Sequence, residues 1–281
     1  NIWRPKTHIK KRPVMFYMHG GSFAGGSCSD PMIDGSNFAK NTNCVVVSVN
    51  FRLGVLGFLD FSFLDVEFKG NCGFSDVILA LKWVRENIEF FGGDKDNVTV
   101  CGQSSGGTMA VALNCIPEAY PYFSKTVAMS AGPTLLNNKE DSYDTAKKFM
   151  DFMGFTTKEQ LLSASAEELT ARQKEFTRFC RMGAGTFTAE VDGEMIKYHP
   201  IVAAAKGLTC KKPILLGTTR EEMSFLFIKP LAKALDIDTI ANAGIKQEGG
   251  GVLSEMPLEY KRIYGRRWNK VMFSDMVFRM G

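Results

Sequence analysis

Gly102-Gln103-Ser104-Ser105-Gly106 is the stretch of this chain best suited to chemistry, because it stands where an apolar strand turns directly into a helix. Val98-Thr99-Val100-Cys101 reads as the strand, and Thr108-Met109-Ala110-Val111-Ala112-Leu113 continues as the helix. A serine on so tight a turn is held in a constrained backbone conformation that lifts its hydroxyl clear of the sheet, and flanking glycines leave room for the turn to close. Ser104 is therefore the candidate nucleophile for acyl transfer. The five-residue pattern alone has many accidental matches. Its place between strand and helix, and a second motif upstream, make it specific.

That second motif is His19-Gly20-Gly21-Ser22-Phe23, directly after the apolar run Val14-Met15-Phe16-Tyr17-Met18. Attack on a carbonyl creates a tetrahedral oxyanion, and one well-placed N–H donor aimed at it contributes roughly 3 to 4 kcal/mol. A Gly-Gly loop presents such donors at close range. Alone, the motif would read as a strand-to-loop turn; followed by the serine turn, it reads as an oxyanion loop, with the amides of Gly21, Ser22 and Ser105 as donors.

The elements that would position these groups alternate between strand and helix, which predicts an α/β fold with a largely parallel sheet and helices on its faces. Strands are expected near residues 13–18, 44–50, 97–101, 125–130 and 213–217. Helices are expected near 31–41, 74–91, 105–115, 142–153, 158–162, 166–181, 256–263 and 267–279. Val45-Val46-Val47-Ser48-Val49 is β-branched on both faces, as a fully buried strand should be. Gly249-Gly250-Gly251 marks a loop, and no repeat or low-complexity segment interrupts the chain.

Several further blocks, in one order, resemble the type-B carboxylesterases of the α/β-hydrolase superfamily. Asn1-Ile2-Trp3-Arg4-Pro5 resembles the stretch after that family's SEDCLYLN signature. Asn50-Phe51-Arg52-Leu53-Gly54-Val55-Leu56-Gly57-Phe58-Leu59 resembles its N-Y-R-x-G-x-L-G-F-L block. Asn71-Cys72-Gly73, Asp76, Ala80-Leu81-Lys82-Trp83-Val84, Asn87-Ile88 and Phe91-Gly92-Gly93-Asp94 resemble the run that leads to its nucleophile. The resemblance implies an α/β-hydrolase fold and a single domain over residues 1–281, incomplete at both ends. It implies an ester hydrolase working through a Ser-His-Glu acyl-enzyme, with no cofactor and no metal.

The same resemblance supplies the acid. The segment from Pro213 to Phe225 is similar to the family's G-T-N-x-D-E-G-x-x-F stretch, which places the catalytic carboxylate on Glu222. Read by themselves, Glu221 and Glu222 are a solvated acidic pair, and only the alignment singles out Glu222. Ser130 resembles a serine that the family places near the acid; as a residue it reads equally well as the end of a strand.

An α/β-hydrolase triad runs serine, acid, histidine along the chain, yet the three histidines, His8, His19 and His199, all precede Glu222. His199 stands in Tyr198-His199-Pro200 and is expected to be a solvated loop residue beside an extended proline turn. His19 is expected to hold the oxyanion loop, and His8 to be exposed in a basic segment. The catalytic histidine is accordingly expected outside this chain, and the chain alone to be inactive.

Three departures limit the carry-over: Gln103 stands where the family has glutamate, Ser105 where it has alanine, and Met223 where it has glycine. An uncharged Gln103 removes the anion that would face a cationic choline head, so a neutral carboxylic ester is the expected substrate. The other reading, from a different class, is an esterase-like adhesion or scaffold protein. Retention of Ser104, the oxyanion glycines and Glu222 together argues against it.

A chain of 281 residues, 45% hydrophobic and 23% charged, can bury a sizeable core. Its net charge of +4 is small, and Arg262, Arg266 and Arg267, with Tyr264 and Trp268, read as a solvated helix face rather than a nucleic-acid surface. The seven cysteines are odd in number, widely spread and without metal-ligand spacing, which is simplest for a reduced set and leaves localisation open. No apolar run approaches the roughly 18 residues of a membrane span.

Overall fold

The structure is a computed structural model and describes residues 1–6, 10–132, 136–180, 185–219 and 222. His8, Met223, the glycine run at 249–251, the arginine cluster at 262–267 and the helices expected at 256–263 and 267–279 lie outside the described residues. Contacts divide the chain into two compact units, Asn1–Leu216 and Gly217–Gly281.

The strands are β1 (Ile2–Trp3), β2 (Arg12–Met18), β3 (Val45–Ser48), β4 (Gly93–Gln103), β5 (Lys125–Met129), β6 (Asn137–Asn138), β7 (Glu190–Val191) and β8 (Ile214–Gly217). The helices are α1 (Ser36–Thr42), α2 (Gly54–Phe58), α3 (Cys72–Asn87), α4 (Ser105–Leu113), α5 (Lys139–Met153), α6 (Lys158–Ser163), α7 (Ala166–Ala171), α8 (Gln173–Cys180) and α9 (Pro200–Ala205). Six strands form one sheet in the order β1-β3-β2-β4-β5-β8, while β6 and β7 pair separately. Strands β3, β2, β4 and β5 run parallel, and β1 joins the edge antiparallel to β3.

The alternation of side chains sorts the core. Val45 and Val47 of β3 enter the main core with Val14, Phe16 and Met18 of β2, whereas Val46 turns to the opposite face and packs with Ala39 of α1, Cys44, Trp3 and Met15. Both faces are thus covered, which is why three consecutive valines are all buried. The main core is closed by Phe74, Val77, Leu81 and Val84 of α3 and by Met109 and Leu113 of α4.

Four sequence expectations change. The expected helix at 31–41 is a short 3-10 turn, Pro31–Ile33, followed by α1, because the Asp30 side chain caps the turn and Asp34 leaves helical geometry. The expected helix at 166–181 divides into α7 and α8 after the Arg172 cap. The short β1, α2, β6, β7 and α9 lie outside the expected elements; periodicity over so few residues is a weak signal. His199 is not a solvated loop residue: it is the half-buried N-cap of α9, its Nδ1 accepting the Ile201 amide at 3.3 Å with Pro200 at the first helical position. The restriction that the proline places on His199 is satisfied by a cap as well as by a loop.

Candidate active site

Ser104 sits between the end of β4 and the start of α4, with φ 58° and ψ −126°. An L-residue enters this region only where its surroundings compel it, at a cost of about 1 to 3 kcal/mol. The compulsion is visible in its hydrogen bonds. The Ser104 amide donates to the Met129 carbonyl at the end of β5, 2.9 Å away. Its own carbonyl accepts the Thr108 amide at 2.9 Å and the Thr108 hydroxyl at 3.3 Å. The turn is as tight as the glycine pattern suggested: a Cβ on Gly106 would stand 2.2 Å from the Met18 carbonyl oxygen.

The His19 loop lies against this turn. A Cβ on Gly20 would stand 3.1 Å from Ser104 Cβ and 2.9 Å from the Gln103 carbonyl oxygen, so only glycine allows this approach. The loop then reverses through Gly21 at φ 125°, Ser22 at 56° and Phe23 at 58°. The Gly21 carbonyl accepts the amides of Ala24 and Gly25 at 3.0 and 3.1 Å. Phe23 anchors the far side, buried against Phe58 with ring centroids 4.7 Å apart, while its carbonyl takes the Gly54 amide at 2.7 Å.

His19 is buried and stacked on Phe51 at 4.5 Å; as the Nδ1–H tautomer it donates to the Gly20 carbonyl at 2.9 Å. Its Nε2 meets no hydrogen-bond partner among the described residues. The ring thus braces the loop from behind, the structural part expected of it.

Of the other candidates, Ser105 is buried at the first turn of α4, where helix amides concentrate positive potential. Gln103 is exposed beside Ser104. Ser130, buried with φ 48°, follows the Met129 that receives the Ser104 amide. Glu222 belongs to the second unit, where its Oε1 accepts the Thr219 amide at 2.5 Å.

Sequence reasoning missed Thr108. Its hydroxyl, besides reaching Ser104, accepts the Gly132 amide at 3.0 Å and so joins the turn to the chain leaving β5. A threonine four residues after the candidate serine, on the following helix, was the available signal. The arrangement offers a serine on a firmly held backbone turn and a close-packed glycine loop, the two parts that acyl transfer needs from this side of a site.

Residues 1–248 match the family described as Carboxylesterase family. A para-nitrobenzyl esterase of Bacillus subtilis is 38% identical over 234 residues, covering 82% of this chain and 47% of that protein. Among solved structures, a thermophilic PNB esterase superposes with a TM-score of 0.87 at 32% identity, covering 98% of this chain and 57% of its own. A carboxylesterase of Geobacillus stearothermophilus superposes with a TM-score of 0.85 at 35% identity, covering 99% of this chain and 59% of its own. The chain spans about half the length of the curated relatives it matches.

Proposed function

This chain belongs to the carboxylesterase family, type B, with the α/β-hydrolase fold, and from that premise we propose that it carries the nucleophile, oxyanion loop and acid of a serine esterase acting on neutral carboxylic esters. Ser104 attacks the ester carbonyl. The amides of Gly21, Ser22 and Ser105 receive the oxyanion, Glu222 orients the base, and Ser130 steadies the strand end beside the turn. The base is a histidine other than His8, His19 and His199, the last two being committed to bracing a loop and capping a helix. The alcohol leaves with the proton taken from Ser104, and water then releases the acyl group.

The observation that carries this reading is the backbone of Ser104, held at φ 58° by bonds to β5 and α4 with Gly20 packed against it. The pairing of φ 58° with ψ −126° persists only where the surroundings over-determine it, as they do at this strand-to-helix turn. Gln103 beside it brings no negative charge, which favours a neutral ester over a cationic one.

The test is labelling with an organophosphate followed by peptide mass spectrometry, together with turnover of short para-nitrophenyl esters by the full-length protein. The label is expected on Ser104, and Ser104→Ala is expected to lower kcat about 10⁴-fold or more. Label on another residue, or undiminished turnover in Ser104→Ala, overturns the assignment.

A further inference from the structure

Asp60 and Glu190 take no part in the chemistry above, yet each is only 2% exposed. Glu190 opens β7, and the side chain of Asn71 holds its main chain on both sides: Nδ2 donates to the Glu190 carbonyl at 2.9 Å, and Oδ1 accepts the Glu190 amide at 3.0 Å. The Glu190 carboxyl then occupies the space over Gly70, where a Cβ would stand 2.6 Å from Glu190 Oε1 and 3.2 Å from Asp60 Cβ. The two acidic side chains are therefore packed next to each other over Gly70, near enough for Asp60 to favour a proton on Glu190, while Ser142 of α5 opposes it.

Two carboxylates offer each other only acceptors, so this contact holds only while one of them keeps a proton. Asp60 accepts the Ser62 amide at 2.7 Å. Glu190 Oε2 meets no partner among the described residues, which suits the protonated one.

We propose that Asp60 and Glu190 share one proton at neutral pH and form a latch that fastens β7 and the start of α5 to residues 59–71, and that alkaline loss of this proton releases it. The surroundings give little relief once the proton leaves. Asp192 adds a like charge and shares the Asn71 amide at 3.1 Å. From α3, Cys72 faces Asp60. From α5, Lys139 is the cation facing both carboxyls, and Tyr143 is already engaged with Ser62 Oγ at 2.8 Å.

The direction of the pH effect follows. Burial above all pushes Glu190 up to about 8; Ser142 pulls it down, and the nearness of Asp60 and then of Asp192 raises it further. In the unfolded chain a glutamate loses its proton at about 4.3. Between those values the folded chain holds the extra proton, so this pair's contribution to stability falls as pH rises through the window and levels off above it.

The experiment is thermal unfolding of the full chain from about pH 5 to about pH 9, for wild type, Glu190→Gln and Asp60→Asn, with infrared detection of the protonated carboxyl in wild type. The wild-type midpoint is expected to fall with rising pH, and the carboxyl band to disappear with a midpoint near 8. Glu190→Gln, whose amide donates to Asp60 with no proton to lose, is expected to flatten the profile. Asp60→Asn is expected to let Glu190 ionise closer to its ordinary value. Parallel profiles for wild type and Glu190→Gln, or no carboxyl band in wild type at neutral pH, overturn the latch. If neither variant folds, the wild-type band decides alone. None of these readouts involves Ser104, so failure here leaves the esterase reading untouched.

Discussion

The Ser104 amide hangs from the Met129 carbonyl at 2.9 Å, so the residue bearing the hydroxyl is suspended from the neighbouring strand β5 as well as from its own. Its position therefore depends on the register of two parallel strands, in which Gln103 pairs with Met129 and Gly102 with Ala128. Anything that shifts the end of β5 shifts the hydroxyl.

Thr108→Val tests this suspension. The substitution conserves shape but removes the hydroxyl that joins the Ser104 carbonyl to the Gly132 amide. Leaving that buried amide unpaired costs about 1 to 3 kcal/mol of stability. We expect a lower melting temperature, and in the full-length protein a fall in kcat with little change in KM for a para-nitrophenyl ester.

Gly21→Ala tests the oxyanion loop. At φ 125° an L-residue is strained, and its Cβ would stand 2.2 Å from the Gly25 carbonyl oxygen, so the loop must move. A displacement of about 1 Å at a reacting centre costs on the order of 10²-fold in rate. Steady-state kinetics of the full-length variant should show that loss, while unchanged turnover would remove Gly21 from the oxyanion site.

Acid stability should depend on Arg52 and Asp76. The Arg52 guanidinium reaches both oxygens of Asp76, at 2.7 and 2.9 Å, and the Arg52 amide adds a third bond at 2.8 Å. Burial raises the Asp76 carboxyl, but these bonds outweigh it and hold the group below its ordinary value. The stability it contributes is present above the unfolded value of about 4 and is lost as pH falls through the lower folded one. Asp76→Asn is expected to lose stability at neutral pH and to show a shallower fall on acidification, read by circular dichroism. The pair is partly exposed, so the effect should be modest.

Strand β8 should govern self-association. It ends the sheet order, and among the described residues no strand pairs on its outer side. Its side chains Leu215 and Leu216 are 65% and 60% exposed. An apolar strand edge is a template for pairing with other chains, and a lysine there disrupts it. Leu215→Lys is expected to reduce aggregation of the chain in light scattering without lowering its melting temperature. Equal aggregation in both would show that the edge is not the sticky surface.

Much of the site was legible in the sequence because its parts are local. The strand, the turn glycines and the following helix adjoin Ser104 in the chain, and their types follow from the turn they must make. Likewise Val45 to Val47 announce a strand buried on both faces without reference to anything distant. His199 misled for a related reason: a proline restricts the residue before it in the same way whether a loop or a helix follows, and only the course of the chain after it decided for a cap.

The serine turn, the glycine loop and the alternating elements of a parallel sheet all follow from short stretches of sequence. What meets across long stretches of chain follows from the folded arrangement alone. That arrangement placed Gly20 against Ser104, joined Thr108 to Gly132, and set Glu190 of β7 beside Asp60 with Asn71 holding its backbone. No periodicity encodes such pairings, because a carboxyl buried by a partner more than a hundred residues away has the same local neighbours as one left in water.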